Sequence, residues 1–190
     1  MSIVKVLAFD PAASLMGWAL LEYDTQTRIV VVTKLGTIEG RKLLKHYRDM
    51  RKLFSDSFTI QTAYYHLLKE EIFPQASPDF VVSEGAFHHK FVATLVSLTL
   101  VINVIREVSR DLYQRDINIV APMETKKILA KNHMAKKDEI RDAVITHKDI
   151  MFSDDLFPIH QMLTEHEYDA IGHGYAFIKK YLVSTLETTV

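Results

Sequence analysis

The sequence predicts an α/β domain built on a mixed five-stranded sheet, three antiparallel strands and then two parallel ones, with helices on both faces. Three observations carry that expectation. The opening run, Ile3 to Phe9, is almost all apolar and rich in β-branched residues, which suits a central strand covered on both sides. Two more strand-like runs follow before any helical pattern, across short connections that favour an antiparallel meander. Two later apolar runs are each preceded by a long helical stretch, as right-handed β-α-β crossovers require.

Asp10-Pro11 closes the first strand. Trp18 to Tyr23 is the second strand and Arg28 to Leu35 the third, with Asp24-Thr25-Gln26-Thr27 as the turn between them. From Gly40 to Phe73 apolar residues recur at steps of three and four. Leu43, Tyr47, Met50 and Phe54 precede a break at Ser55-Asp56-Ser57, and Tyr64, Leu67, Leu68 and Ile72 follow it. Pro74 and Pro78 end that pattern. Phe80 to Ser83 is a short buried strand ending at Glu84. Lys90 to Arg115 is a long helix, apolar nearly all round in its first half. Ile117 to Ala121 is the fifth strand, closed by Pro122. Glu124 to Ala130 and Lys137 to His147 are two short helices around the polar connection Lys131-Asn132-His133-Met134. Ile150 to Leu163 is irregular or weakly helical, and Glu165 to Leu182 is the last helix. With no internal repeat, low-complexity stretch or linker, residues 1–190 read as one domain.

The chain has no cysteine, which excludes disulfides, thiolate metal sites, iron–sulfur clusters and thiol nucleophiles. That agrees with a cytoplasmic location. The first ten residues lack the charged start and long apolar stretch of a signal peptide and read as a strand. The run Phe91 to Ile105 is 15 residues long and includes Thr94, Ser97, Thr99 and Asn103. A membrane-spanning helix needs roughly 20 apolar residues. The run is therefore expected to be a buried helix, no membrane contact is expected, and its excess apolar surface fits either the core or a subunit interface. The formal net charge of −1 lacks the strong basic balance of many nucleic-acid binders. Acidic metal ligands would offset basic contacts in that sum.

Three acids stand out by position. Asp10 and Glu84 end the first and fourth strands, and Asp169 lies in the last helix, three residues after His166. In a sheet where the fourth strand neighbours the first, Asp10 and Glu84 sit side by side at the carboxyl edge that open α/β sheets use for ligands. His166 and Asp169 share one helix face. Mg²⁺ prefers oxygen ligands and is commonly held by one or two carboxylates together with substrate phosphate. In a two-metal site the ions clamp the attacking and leaving oxygens. Asp10 would then bridge two Mg²⁺ ions, with Mn²⁺ as a substitute, while Glu84 holds one and Asp169 the other. His166 would either ligate metal or orient the attacking water. Glu165 competes with His166 for that role, and His173, two turns further on, is either a supporting group or a core residue.

The residues around these acids resemble one nuclease family. Asp10-Pro11-Ala12-Ala13-Ser14 followed by Gly17 looks like the opening Asp-Pro-Gly-Ser motif of RuvC-type Holliday-junction resolvases. Glu84 followed by Phe87 resembles the family's Glu-x-x-Phe, and His166-Glu167-Tyr168-Asp169-Ala170 resembles its last motif. The likeness extends over roughly residues 3 to 182. Ala12 stands where the family usually has Gly, His166 where many members have Asp, and Ile150 to Thr164 lengthens the approach to the last helix. The resemblance implies an RNase H-like fold and a homodimer. It also implies magnesium-dependent nicking of four-way DNA junctions, leaving 5′-phosphate and 3′-hydroxyl ends. It further implies DNA contacts at Lys126 and Lys137, with Lys127 and Lys136 as alternates, and base stacking by Phe87, for which a core position is the alternative.

Other functions are weighed against that one. An RNase H or a proofreading exonuclease shares the fold, but the exonuclease Asp-x-Glu signature is absent because position 12 is Ala. A catalytically silent binder of branched DNA would have no need of the acidic trio.

Overall fold

The structure, a computed structural model, describes residues 2–86 and 92–183. Its strands are β1 (Ile3–Pro11), β2 (Leu15–Asp24), β3 (Val30–Glu39), β4 (Phe80–Glu84), β5 (Asn118–Val120) and β6 (Ile150–Phe152). They form one sheet in the order β5-β4-β1-β2-β3-β6. The first three strands pair antiparallel, while β4 runs parallel to β1 and β5 parallel to β4. The meander, the crossovers and the β1–β4 neighbourhood all follow the sequence pattern.

The sheet has six strands where five were expected. Ile150–Phe152, read from sequence as irregular, pairs parallel with Val30–Val32 at the outer edge of β3. Three residues are too few to display a period of two. Their conformation is set by the edge they meet, so no local signal announces them.

The helices are α1 (Gly40–Leu43), α2 (Arg48–Leu53), α3 (Asp56–Leu67), α4 (Phe73–Ala76), α5 (Val92–Tyr113), α6 (Pro122–Ala130), α7 (Lys137–Thr146) and α8 (Glu165–Phe177). The expected break at Ser55 is the start of α3, where the Ser55 hydroxyl accepts from Phe58 N–H at 3.3 Å. Pro122 opens α6 at its first position, where the missing N–H costs nothing. The last helix changes to π-helical winding over Ile178–Val183.

Two apolar layers sandwich the sheet, and strand alternation assigns residues to each. Val6, Ala8, Ala19, Leu21 and Val82 pack with Ile171 and Tyr175 of α8. Leu7, Phe9, Leu20 and Val81 pack with Tyr64 of α3 and Ile105 of α5 on the opposite face. α5 is long and apolar enough by length and composition to cross a membrane, at a mean hydropathy of 1.6. Here Leu98, Val101, Ile105 and Val108 face the core, while Val92, Val96 and Leu100 are 75%, 51% and 40% exposed.

Candidate active site

The alternation that builds the two layers also aims the acids. Asp10 lies two residues beyond Ala8, and Glu84 two beyond Val82, so both carboxylates point to the α8 side. The parallel register pairs Ala8 with Val82 and Phe9 with Ser83. Asp10 and Glu84 are the next pair along, on strands about 4.8 Å apart. A buried carboxylate here follows directly from extending two core strands by one more inward-facing residue.

α8 brings the remaining groups. Its first turn is fixed by a reciprocal cap: Thr164 Oγ1 accepts from Glu167 N–H at 3.3 Å, and Glu167 Oε2 accepts from Thr164 N–H at 2.6 Å. His166, Asp169 and His173, spaced three and four apart, share the face turned toward β1 and β4. His166 Nδ1 donates to Asp10 Oδ2 at 2.6 Å. His173, only 4% exposed, sets Nε2 3.7 Å from Glu84 Oε2 and shares a 2.9 Å hydrogen bond through Nδ1 with Thr125 Oγ1 of α6. This approach of helix to sheet depends on Gly17, the β2 partner of Asp10. A Cβ there would lie 2.1 Å from the His166 carbonyl oxygen.

Ligand atoms of Asp10, Glu84 and His173 all lie within 4.8 Å of one another. Asp169 lines the same cavity, of about 270 Å³, but among the described residues it belongs to no set that meets that distance. Lys126, Lys137 and His166 also line the cavity. The cavity therefore collects Asp10, Glu84, His166, Asp169, Lys126 and Lys137, while Phe87 lies outside the described residues. The alternates Lys127 and Lys136 are exposed and not among its lining. Glu165 turns to an ion pair with Lys137 instead of competing with His166. His173 is the group that sequence reasoning placed least well. Its signal was its place seven residues after His166 and four after Asp169, but one buried histidine on an apolar helix looks like core.

The electrostatics are those of packed negative charge. Burial, reinforced by Asp10 and then Asp169, pushes the Glu84 carboxyl up to about 8. Burial and Asp10 raise Asp169 to about 6. The hydrogen bond to Asp10 raises His166, favouring its cationic form. His173 is driven down to about 4 by burial, so it stays neutral. Burial opposes the charge on Lys137, but its bond to Glu165 and the nearby acids leave it raised. Carboxylate oxygens crowded enough to hold protons near neutrality, beside a neutral imidazole, form a donor set suited to a hard divalent cation.

No protein-family profile matches the chain. The crossover junction endodeoxyribonuclease RuvC of Dictyoglomus thermophilum is 25% identical over 154 residues, covering 80% of this chain and 88% of that protein. Thermus thermophilus RuvC, solved in complex with Holliday junction substrate, superposes with a TM-score of 0.68 at 13% identity, covering 96% of both chains. The yeast mitochondrial Holliday junction resolvase superposes with a TM-score of 0.61 at 11% identity, covering 98% of this chain and 85% of that one. The fold is thus the RNase H-like fold of these resolvases, and in sequence the chain is similar to RuvC.

Proposed function

We propose that this RuvC-like chain is a structure-selective endodeoxyribonuclease. It resolves four-way DNA junctions by metal-dependent phosphodiester hydrolysis, leaving 5′-phosphate and 3′-hydroxyl ends. The observation that carries the reading is the juxtaposition of Asp10 and Glu84 at the carboxyl edge of β1 and β4, faced by Asp169, His166 and His173. Asp10, Glu84 and Asp169 would hold Mg²⁺, with Mn²⁺ as a substitute and two ions per site. When bound, the metal supplies Lewis-acid stabilisation of phosphate charge and a more acidic water.

The chain's own residues do the rest. The Nδ1 bond to Asp10 fixes the His166 ring and leaves Nε2 to orient the attacking water. His173, neutral and anchored by Thr125, faces the same cavity with Nε2 3.7 Å from Glu84 and would serve as a neutral donor beside the acids. Lys126 and Lys137, on the helices that wall the cavity, would contact the phosphates flanking the scissile bond. Phe87, three residues beyond Glu84, would stack on a base at the junction centre, where such contacts are worth about 1–3 kcal/mol. Val92, Val96 and Leu100, four residues apart on the outer face of α5, would join two copies as a homodimer. Two copies would present two cutting sites to one junction. The place of work would be the cytoplasm.

The test is a substrate panel in Mg²⁺: a four-way junction, a linear duplex and an RNA–DNA hybrid of matched sequence. The expected result is nicks in the junction that DNA ligase reseals. Preferential cutting of the hybrid would point to an RNase H activity on the same fold.

A further inference from the structure

The segment Gly40–Lys52 is unlike the rest of the chain in charge. It holds Arg41, Lys42, Lys45, Arg48, Arg51 and Lys52 against Asp49 alone, a surplus of 6 − 1 = +5. The whole chain has 23 basic and 24 acidic residues, net −1, so everything outside this segment sums to −6. Half of the basic side chains are already neutralised. Lys42 pairs with Glu39 at 2.6 Å, Lys52 with Asp49 at 2.7 Å, and Arg51 with Asp56 at 2.7 and 3.1 Å. Arg41, Lys45 and Arg48 are exposed and, among the described residues, have no ion-pair partner.

Arg41 lies on α1, Lys45 on the 3-10 turn Leu44–His46 and Arg48 at the start of α2. They line a single groove of about 800 Å³, with Ser14, Ser57 and Ser97 around them. Its large aliphatic members, Leu44 and Ile60, are buried at 6% and 7% exposure, so nothing in it would grip the side chains of a peptide. A row of unpaired cations with hydroxyl donors and no apolar anchor suits a regular polyanion. The groove lies on the α3–α5 side of the sheet, shares no lining residue with the candidate active site, and is linked to it by the β1–β2 connection. The Ser14 carbonyl, four residues after Asp10, accepts from Gly40 N–H at 2.9 Å and ties that connection to the start of α1.

We propose that this groove is a second nucleic-acid contact, in which Arg41, Lys45 and Arg48 hold the phosphate backbone of a DNA arm leaving the acidic cluster. The proposal rests on the branched-DNA reading above. The groove would position an arm without reading its sequence. It would also account for a DNA-binding face on a chain with no overall positive charge.

The test measures binding of a labelled four-way junction, and separately of a plain duplex arm, against salt concentration in the Asp10→Asn background. Removing one phosphate-binding cation lowers the slope of log affinity against log salt by roughly 0.9. Arg41→Ala/Lys45→Ala/Arg48→Ala together should lower it by roughly 2–3 and weaken junction binding at least tenfold. Lys45→Ala alone should lower it by roughly 1, which keeps the test valid if the triple variant melts early. The charge-keeping set Arg41→Lys/Lys45→Arg/Arg48→Lys should retain the wild-type slope. An unchanged slope in the alanine variants overturns the proposal, as does an equal loss in the charge-keeping set. If wild-type protein cuts junctions and the alanine slopes are unchanged, the groove alone fails. If it cuts no branched DNA but the slope on the duplex arm still falls, the groove stands and the resolvase reading fails. Absence of binding to either probe removes both.

Discussion

Replacing Gly17 with alanine should disable cutting while leaving the fold in place. Gly17 pairs with Asp10 across β1 and β2, and a Cβ there would lie 2.1 Å from the His166 carbonyl oxygen and 2.4 Å from its carbonyl carbon. Ordinary contact begins near 3.4 Å, so the first turn of α8 must retreat by 3.4 − 2.1, about 1.3 Å. The obstructing atoms are backbone, and no side-chain rotation relieves them. His166 is carried away from Asp10, and the present 2.6 Å hydrogen bond would open toward about 3.9 Å, beyond bonding distance. A misplacement of about 1 Å at a reacting centre costs on the order of 10²-fold in rate. The strand itself loses nothing, because alanine is no worse than glycine in an extended backbone. Single-turnover junction nicking in Mg²⁺ should fall about 10²-fold, with circular dichroism unchanged and stability lowered by about 1–3 kcal/mol. Gly40→Ala is the matched comparison. Its Cβ would meet Ile60 Cγ2 at 2.6 Å and the Tyr64 hydroxyl at 2.8 Å on the other side of the sheet. It should lower stability with little loss of cutting rate. A Gly17→Ala enzyme within about threefold of wild type, far short of the drop expected for a misplaced reacting group, would refute the argument that this glycine positions α8.

Three further predictions concern charge, support and assembly. Glu84 is held near 8 against 4.5, and Asp169 near 6 against 3.8. Carboxyls raised on folding contribute stability that is complete below their unfolded values and lost as pH rises through the folded ones. In EDTA the Tm should therefore fall between about pH 5 and 8. Mg²⁺ or Mn²⁺ should restore it, and Asp10→Asn should make the dependence shallower, since burial remains; a flat profile for wild type in EDTA would count against the crowded-acid picture. Thr125→Val removes the hydrogen-bond partner of buried His173, so stability should drop by about 1–3 kcal/mol and metal affinity by about 10-fold or more, read by thermal melting and Mn²⁺ calorimetry. Val96→Glu places a charge in the exposed α5 stripe and should yield a monomer by light scattering, with the isolated fold intact; an unchanged oligomeric state would remove α5 from the interface.

The sheet was legible where composition and geometry coincide. Ile3–Phe9 reads as a doubly covered strand, which Val6–Phe9 is, and parity then aims Asp10 at α8 without further information. Glu84 follows from the same rule applied to Val82. The acids could be found from sequence because both stand at the ends of buried strands, where a charged residue breaks the local rule that apolar runs continue.

What escaped the sequence depends on contacts between distant segments. β6 exists because β3 offers a free edge to Ile150–Phe152. Gly17 reads as a turn or strand residue, and only the approach of His166 shows that its missing side chain makes room for α8. His173 was ambiguous because burial and function both produce a histidine on an apolar helix face. Only the fold shows that its ring reaches the cavity beside Asp10 and Glu84. The ion pair of Glu165 with Lys137 likewise came from the fold, since neither residue indicates its partner 28 positions away.

The most direct measurement pairs cutting with binding in one variant. Wild-type protein in Mg²⁺ should nick a synthetic four-way junction. Asp10→Asn should bind that junction with undiminished affinity and leave it uncut. Full cutting by Asp10→Asn would contradict the assignment of the Asp10–Glu84 cluster as the active site.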